Sequence, residues 1–202
     1  MNQNIFPTKS NLIQCKKSLE LASLGYELLD KKRFVLLREM MSLMSDLEGI
    51  QNQIDGSFAA AYRALQKANF AVGQGEMMSI AGAREYPDDA AIRFRSVMGV
   101  EIPIVTLEEE IPSMYYGAGV TTAAVDDAYL GFLRVKRLTA MAAALENSVY
   151  RLAYAIKQAQ KRANALKNII IPRLESNIKY ISSALEEKER DSFTVLKSLK
   201  KN

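Results

Sequence analysis

The chain has 202 residues, 49% apolar and 25% charged, with a net charge of +4, no histidine, no tryptophan and one cysteine. That length suits one ordinary domain, or one elongated element with a small insertion. The missing histidine and lone Cys15 exclude thiol–imidazole nucleophiles and Cys/His zinc sites, and no run approaches the ~18 apolar residues that a membrane span needs.

A single cysteine fits a reducing compartment such as the cytoplasm, and Met1 to Phe6 are polar where a secretory leader would be apolar. Charge is unevenly spread: residues 1–71 carry +2, residues 72–120 carry −5 and residues 121–202 carry +7. An acidic middle beside a basic last third predicts two surfaces that face different partners. Nucleic acid is disfavoured as one of them, because the basic residues are interleaved with acids and no aromatic stacking surface accompanies them.

From about Thr8 to Phe70 the apolar residues recur at alternating steps of three and four. The seam reads Leu12, Cys15, Leu19, Ala22, Tyr26, Leu29, Arg33, Leu36, Met40, Leu43, Leu47, Ile50, Ile54, Ser57, Ala61 and Ala64, with only Arg33 and Ser57 off pattern. Such length is the mark of a coiled coil, with Thr8 as N-cap after Pro7. At 1.5 Å per residue, about 60 residues make a rod of roughly 90 Å. Arg33 on this stripe predicts a residue that fixes register or snorkels to solvent. Cys15 and the cluster Met40, Met41 and Met44 read as core or seam residues.

Residues 72–120 hold six of the ten glycines and three of the five prolines, so neither long helix passes through them. Within them Ile92, Phe94, Val97-Met98-Gly99-Val100, Ile102 and Ile104 predict a β-hairpin over about 92–105, turning at Met98-Gly99 with glycine at positive φ. Pro103 restricts the second strand to an edge.

A second long helix is predicted to start near Thr121 or Thr122, with Asp126 and Asp127 close to its positive end. Its seam runs Leu138, Met141, Leu145, Ser148, Leu152, Ala155, Ala159, Arg162 and Leu166, then Ile170, Leu174, Ile178, Ile181, Leu185, Lys188, Ser192, Val195 and Leu199. The successive steps of four around Ile170 are a stutter, and Pro172 inside it predicts a kink or short break. The fold class is therefore mainly α: N- and C-terminal helices (1–71 and 121–202) pair as a long antiparallel coiled coil, with a small β-containing insertion (72–120) between them. Otherwise each apolar stripe would face water.

Chemistry-bearing motifs are sparse. Asp88-Asp89, Asp126-Asp127 and Glu108-Glu109-Glu110 lack partner ligands and read as solvated loops or helix starts. Gly73-Gln74-Gly75 and Gly117-Ala118-Gly119 do not complete a phosphate loop; their glycines read as helix ends and starts. The basic run Lys188 to Lys201 reads as a solvated helix end, with Lys197, Lys200 and Lys201 complementing the helix dipole, or as a surface for an acidic partner. No catalytic residue, cofactor or metal site is expected.

Antiparallel rods with a small knob also occur in prefoldin-type chaperones and in adaptors, so the plan alone leaves function open. The finer residues point to one family. Phe6-Pro7-Thr8-Lys9-Ser10-Asn11-Leu12 followed by Gly25-Tyr26-Glu27-Leu28-Leu29-Asp30-Lys31-Lys32-Arg33 resembles the opening helix of the D subunit of V-type and archaeal-type rotary ATPases. Val97-Met98-Gly99-Val100-Glu101-Ile102-Pro103 resembles that family's hairpin. Arg162-Ala163-Asn164-Ala165-Leu166, Ile171-Pro172, Ile178-Lys179-Tyr180-Ile181 and Glu187-Lys188-Glu189-Arg190 resemble its last helix, although Lys167 stands where an acidic residue is expected and Phe34-Val35 replace a more charged continuation. The resemblance implies a non-catalytic central-stalk rotor, peripheral to the membrane and without a span. Its partners would be the catalytic A/B hexamer, the small F subunit and the socket-like C (or d) subunit on the membrane ring. It also implies a largely polar outer face, and partner contacts at the helix ends and hairpin turn: Lys16, Lys17, Arg190, Lys197, Met98 and Gly99.

Overall fold

A computed structural model describes residues 6–82, 90–107, 116–117 and 121–200. Among the described residues there are four α-helices: α1 (Lys9–Val72), α2 (Gln74–Gly82), α3 (Ala123–Ala165) and α4 (Ile171–Leu199). A π-helical turn, Leu166–Ile170, joins α3 to α4, and strands β1 (Ala90–Val97) and β2 (Val100–Leu107) form an antiparallel pair. Contacts divide the chain into two units, Met1–Val35 with Ile156–Asn202, and Leu36–Ala155. Asp88-Asp89, Glu108-Glu109-Glu110, Ala118-Gly119 and Lys201 lie outside the described residues.

Helix α1 starts where the sequence places its cap: the Asn11 backbone N–H donates to Thr8 Oγ1 (3.2 Å), and the Asn11 side chain returns to the Phe6 carbonyl (2.9 Å). It ends at Gly73, whose φ of +94° is open to glycine and costly to other residues. Every one of the sixteen predicted seam positions on α1 is buried or half-buried. Met41 and Met44 are not among them. Both are exposed, because they step off the seam that Met40 and Leu43 occupy.

In the unit Leu36–Ala155, α1 and α3 run antiparallel and close together. Ala68 packs with Val125 and Ala128, and Tyr62 meets Phe132 edge-on at 5.6 Å. Small side chains make this approach possible. A Cβ built on Gly131 would lie 3.2 Å from both Cα and Cβ of Ala61. We therefore expect Gly131→Val to lower unfolding stability by about 1–3 kcal/mol through overpacking. Gly56→Ala, with nothing within 4 Å of the added carbon, should raise stability by up to ~1 kcal/mol through helix propensity. Urea unfolding followed by circular dichroism at 222 nm separates the two signs.

The hairpin turns at Met98 and Gly99 with φ of +50° and +78°, so both central residues are left-handed, as a type I′ turn demands. Sequence reasoning assigns positive φ to Gly99 alone; the two-residue loop imposes it on Met98 as well. With Val97 opposite Val100, the pairs Glu101–Ser96 and Pro103–Phe94 fall at non-hydrogen-bonded sites. Pro103 thus removes no ladder bond, and the Glu101 and Pro103 carbonyls point outward. Helix α3 meets them: Arg151 donates to the Glu101 carbonyl (3.1 Å), and Ser148, whose hydroxyl donates to the Ala144 carbonyl of its own helix (2.7 Å), sets its Oγ 3.4 Å from the Pro103 carbonyl. Ile102 is buried, and its cross-strand neighbour Arg95 pairs with Glu39 of α1. Ile92 and Phe94 face away, with Arg151 stacked over the Phe94 ring (5.5 Å).

Helix α2 is not signalled by the sequence of the knob. Its nine residues carry little amphipathic pattern and are bracketed by Gly73 and Gly82. Met77 of α2 packs on the Ala68–Val125 cluster.

In the other unit the first part of α1 runs antiparallel to the end of α3 and α4. A Cβ on Gly25 would sit in ordinary contact with Leu166 (3.7 Å), and Lys167 lies over the Tyr26 ring (5.7 Å). That cation–π contact occupies the place where an acidic residue is expected. The stutter takes the form of the π turn. Pro172 cannot donate to the carbonyl four residues back and its ring crowds that carbonyl; the backbone has widened beforehand, with Ile171 N–H bonded to the Leu166 carbonyl. The widening turns Ile170, a predicted seam residue, outward. Met141 and Arg162 are also exposed; their neighbours Ala142 and Ala163 are buried instead.

The seam on α4 stops at Leu185. The period predicts that Lys188, Ser192, Val195 and Leu199 continue it, yet every residue from Glu186 to Lys200 is exposed. Lys9, the first residue of α1, pairs with Glu189 (3.0 Å), so beyond that point no described helix runs alongside.

Candidate functional site

Among the described residues, no group of three or more His, Cys, Asp or Glu side chains is placed to hold a metal ion. A groove of about 560 Å³ between α1, α3 and β2 is lined by Ile50, Ile104, Val105, Met141 and Leu145, and Asp46 is its one charged residue. Cys15 is half-buried in the seam. Asp126 accepts a hydrogen bond from the Tyr116 hydroxyl (2.5 Å); burial, then this carboxylate, pushes the Tyr116 pKa up to about 12, so it stays a neutral donor that ties the segment before α3 to its first turn.

The informative features are surfaces. At the end of α4, Phe193, Val195, Leu196 and Leu199 are all more than half exposed on a helix whose other side is charged. Arg190 and Lys197 stand two turns apart here, Arg190 in a loose pair with Glu186 (3.9 Å). The exposure of Phe193 is visible only once Lys9 is seen to end the pairing. Lys16 and Lys17 are exposed neighbours near the start of α1. Met98 and Gly99 form the exposed tip of the hairpin, in the other unit.

One polar cluster crosses the helix pair. Arg33 donates to Asp30 on its own helix (2.7 Å) and to Gln160 Oε1 on α3 (2.5 Å), while Gln160 donates on to Asn164 (2.9 Å). The off-pattern arginine therefore makes a specific bond to its partner helix, as a register-fixing residue does.

Residues 11–201 match the family described as the D subunit of ATP synthase. A V-type ATP synthase D subunit from Thermotoga neapolitana is 44% identical, covering 98% of this chain and 97% of its own. A-type ATP synthase D subunits from Methanosphaera stadtmanae and Pyrococcus abyssi are 31% and 32% identical, covering 98% and 97% of this chain and 94% and 93% of theirs. The match runs through both long helices and the hairpin, and the chain belongs to the ATP synthase D subunit family.

Proposed function

We propose that the chain is the central-stalk rotor of a V/A-type rotary ATPase, transmitting torque between the catalytic A/B hexamer and the membrane ion-translocating ring. The observation that carries this is the family match over residues 11–201. ATP is bound and hydrolysed or made by other subunits; this chain supplies no catalytic group. A torque-bearing element must resist both melting and slippage. Buried seam residues supply the first, each contributing about 1.5–3 kcal/mol; the Arg33–Gln160 bond supplies a registered contact for the second. Turning as an asymmetric body, the shaft drives three equivalent catalytic sites into different states.

The free end of α4, with Arg190 and Lys197, and the nearby Lys16 and Lys17 face the hexamer. Met98 and Gly99 at the hairpin tip contact another member of the complex, with the F subunit and the socket-like subunit as the chain's other neighbours. The chain works at the cytoplasmic side of the membrane as a peripheral part; no described helix is long and apolar enough to cross a bilayer.

The test is purification of the native chain under mild conditions with identification of what accompanies it. Nucleotide-hydrolysing A and B subunits and a small partner should copurify. A homo-oligomer that binds unfolded clients would instead support a prefoldin-like holdase or adaptor, which no observation here favours.

A further inference from the structure

We propose that the π turn Leu166–Ile170 is a two-position torsional joint, in which either Ile171 or Ile170 takes the inward place and Pro172 holds the first of these.

The inward line through this stretch is Ala159, Ala163, Leu166, Ile171, Leu174, Ile178 and Ile181, each buried or half-buried. Its steps alternate between four and three except once: Ile171 follows Leu166 by five. One residue more than the coiled-coil repeat is therefore lodged here. The sequence demands it. An α-helix that kept the alternation past Leu166 would turn Ile170, Arg173, Asn177 and Tyr180 inward and carry Leu174, Ile178 and Ile181 off the line. An extra residue can be absorbed in two ways. It can be concentrated in one widened turn, as here, with Ile171 inward. Or it can be spread over several turns as a local unwinding of the supercoil, with steps of four from Leu166 through Ile170 and Leu174 to Ile178.

Side chains do not decide between the two forms. Ile169, Ile170 and Ile171 are consecutive isoleucines; the first two are 65% and 41% exposed and the third is half-buried. Exchanging Ile171 for Ile170 puts the same apolar group on the inward line. The backbone decides. The Ile171 N–H bonds to the Leu166 carbonyl in the widened turn, whereas in the spread form the Pro172 ring would crowd the Asn168 carbonyl. Pro172 is the catch. Opposite the joint α1 carries Gly25, which has no side chain to interlock with Leu166. Lys167 reaches the Tyr26 ring (5.7 Å) through a flexible four-carbon stem, a contact that fixes no register. Upstream, the Arg33–Gln160 bond holds α3 to α1, so a change of twist at the joint passes into α4. On the rotor reading it sets the angle of the free α4 end; the joint itself does not rest on that reading.

The experiment labels the isoleucine δ1 methyl groups of the full chain and measures their broadening by a dissolved neutral gadolinium chelate. In the unaltered chain Ile170 should broaden strongly and Ile171 weakly. P172A should lower the ratio of Ile170 to Ile171 broadening about threefold or more, as the population moves to the spread form. I170Q/P172A places a polar group on the alternative line and should restore the protection of Ile171. Alanine and glutamine both favour helix, so circular dichroism at 222 nm should match the unaltered chain in each variant. An unchanged ratio in P172A, or Ile171 still broadened in I170Q/P172A, overturns the joint and leaves the rotor reading standing.

Discussion

Leu152→Ala lowers the unfolding free energy by about 2–5 kcal/mol, a large share of the stability of any small domain. Leu36→Ala does the same. The size of the effect follows from how little large apolar volume is fully enclosed: among the described residues Leu36, Leu152 and Ile181 are the large apolar side chains at 0% exposure, and much of the remaining core is alanine. Alanine lets helices approach closely but buries little area per residue. Two paired helices also offer few neighbours that could collapse into a vacated space. The loss therefore combines the transfer term with an unrelieved cavity. Alanine is the best helix former, so none of the deficit comes from propensity. Denaturant titration should show a lower midpoint with an unchanged slope. Leu21→Ala, on the exposed face, should cost less than about 1 kcal/mol; an equal loss at Leu152 and Leu21 would contradict the assignment of seam and outer face.

Much of this architecture is legible because a seam of alternating threes and fours has few structural solutions. The sixteen positions from Leu12 to Ala64 are those α1 turns inward, and the Thr8 cap and the Met98-Gly99 turn rest on local chemistry that needs no tertiary knowledge. The misses share a cause. Periodicity on one helix does not reveal whether a partner is alongside. Ser192, Val195 and Leu199 keep the period, yet α1 begins at Lys9, opposite Glu189, and the stripe is left open. Likewise Met41 and Met44 lie at helical spacing from Met40 but on a different face. Helix α2 and the left-handed Met98 are beyond composition. One depends on packing Met77 against the Ala68 cluster, the other on the closure geometry of a two-residue loop. The π turn is visible as a stutter, but its form depends on how the backbone accommodates Pro172.

Ending the chain after Lys188 should leave its stability nearly intact while uncoupling the complex. The described part of the segment removed, residues 189–200, is exposed throughout, and among its described contacts the one that reaches another helix is the surface pair of Glu189 with Lys9. Such a pair contributes about 0–1 kcal/mol, so the unfolding midpoint should barely move. What is lost is Phe193, Leu196 and Leu199 together with Arg190 and Lys197, an amphipathic face with no described partner in its own chain. On the rotor function proposed above, that face is the end held by the catalytic hexamer, and burying it there would fix the axis about which the shaft turns. Without it the hexamer still binds and hydrolyses ATP, but the shaft is no longer constrained to follow each catalytic step. In vesicles carrying the reconstituted complex, ATP hydrolysis should persist while ions transported per ATP fall several-fold. Phe193→Ala with Leu196→Ala in the full-length chain should reproduce part of that fall, which separates the loss of apolar contact from the loss of length. Full ion transport per ATP in the truncated complex would show that the free end of α4 takes no part in transmitting torque.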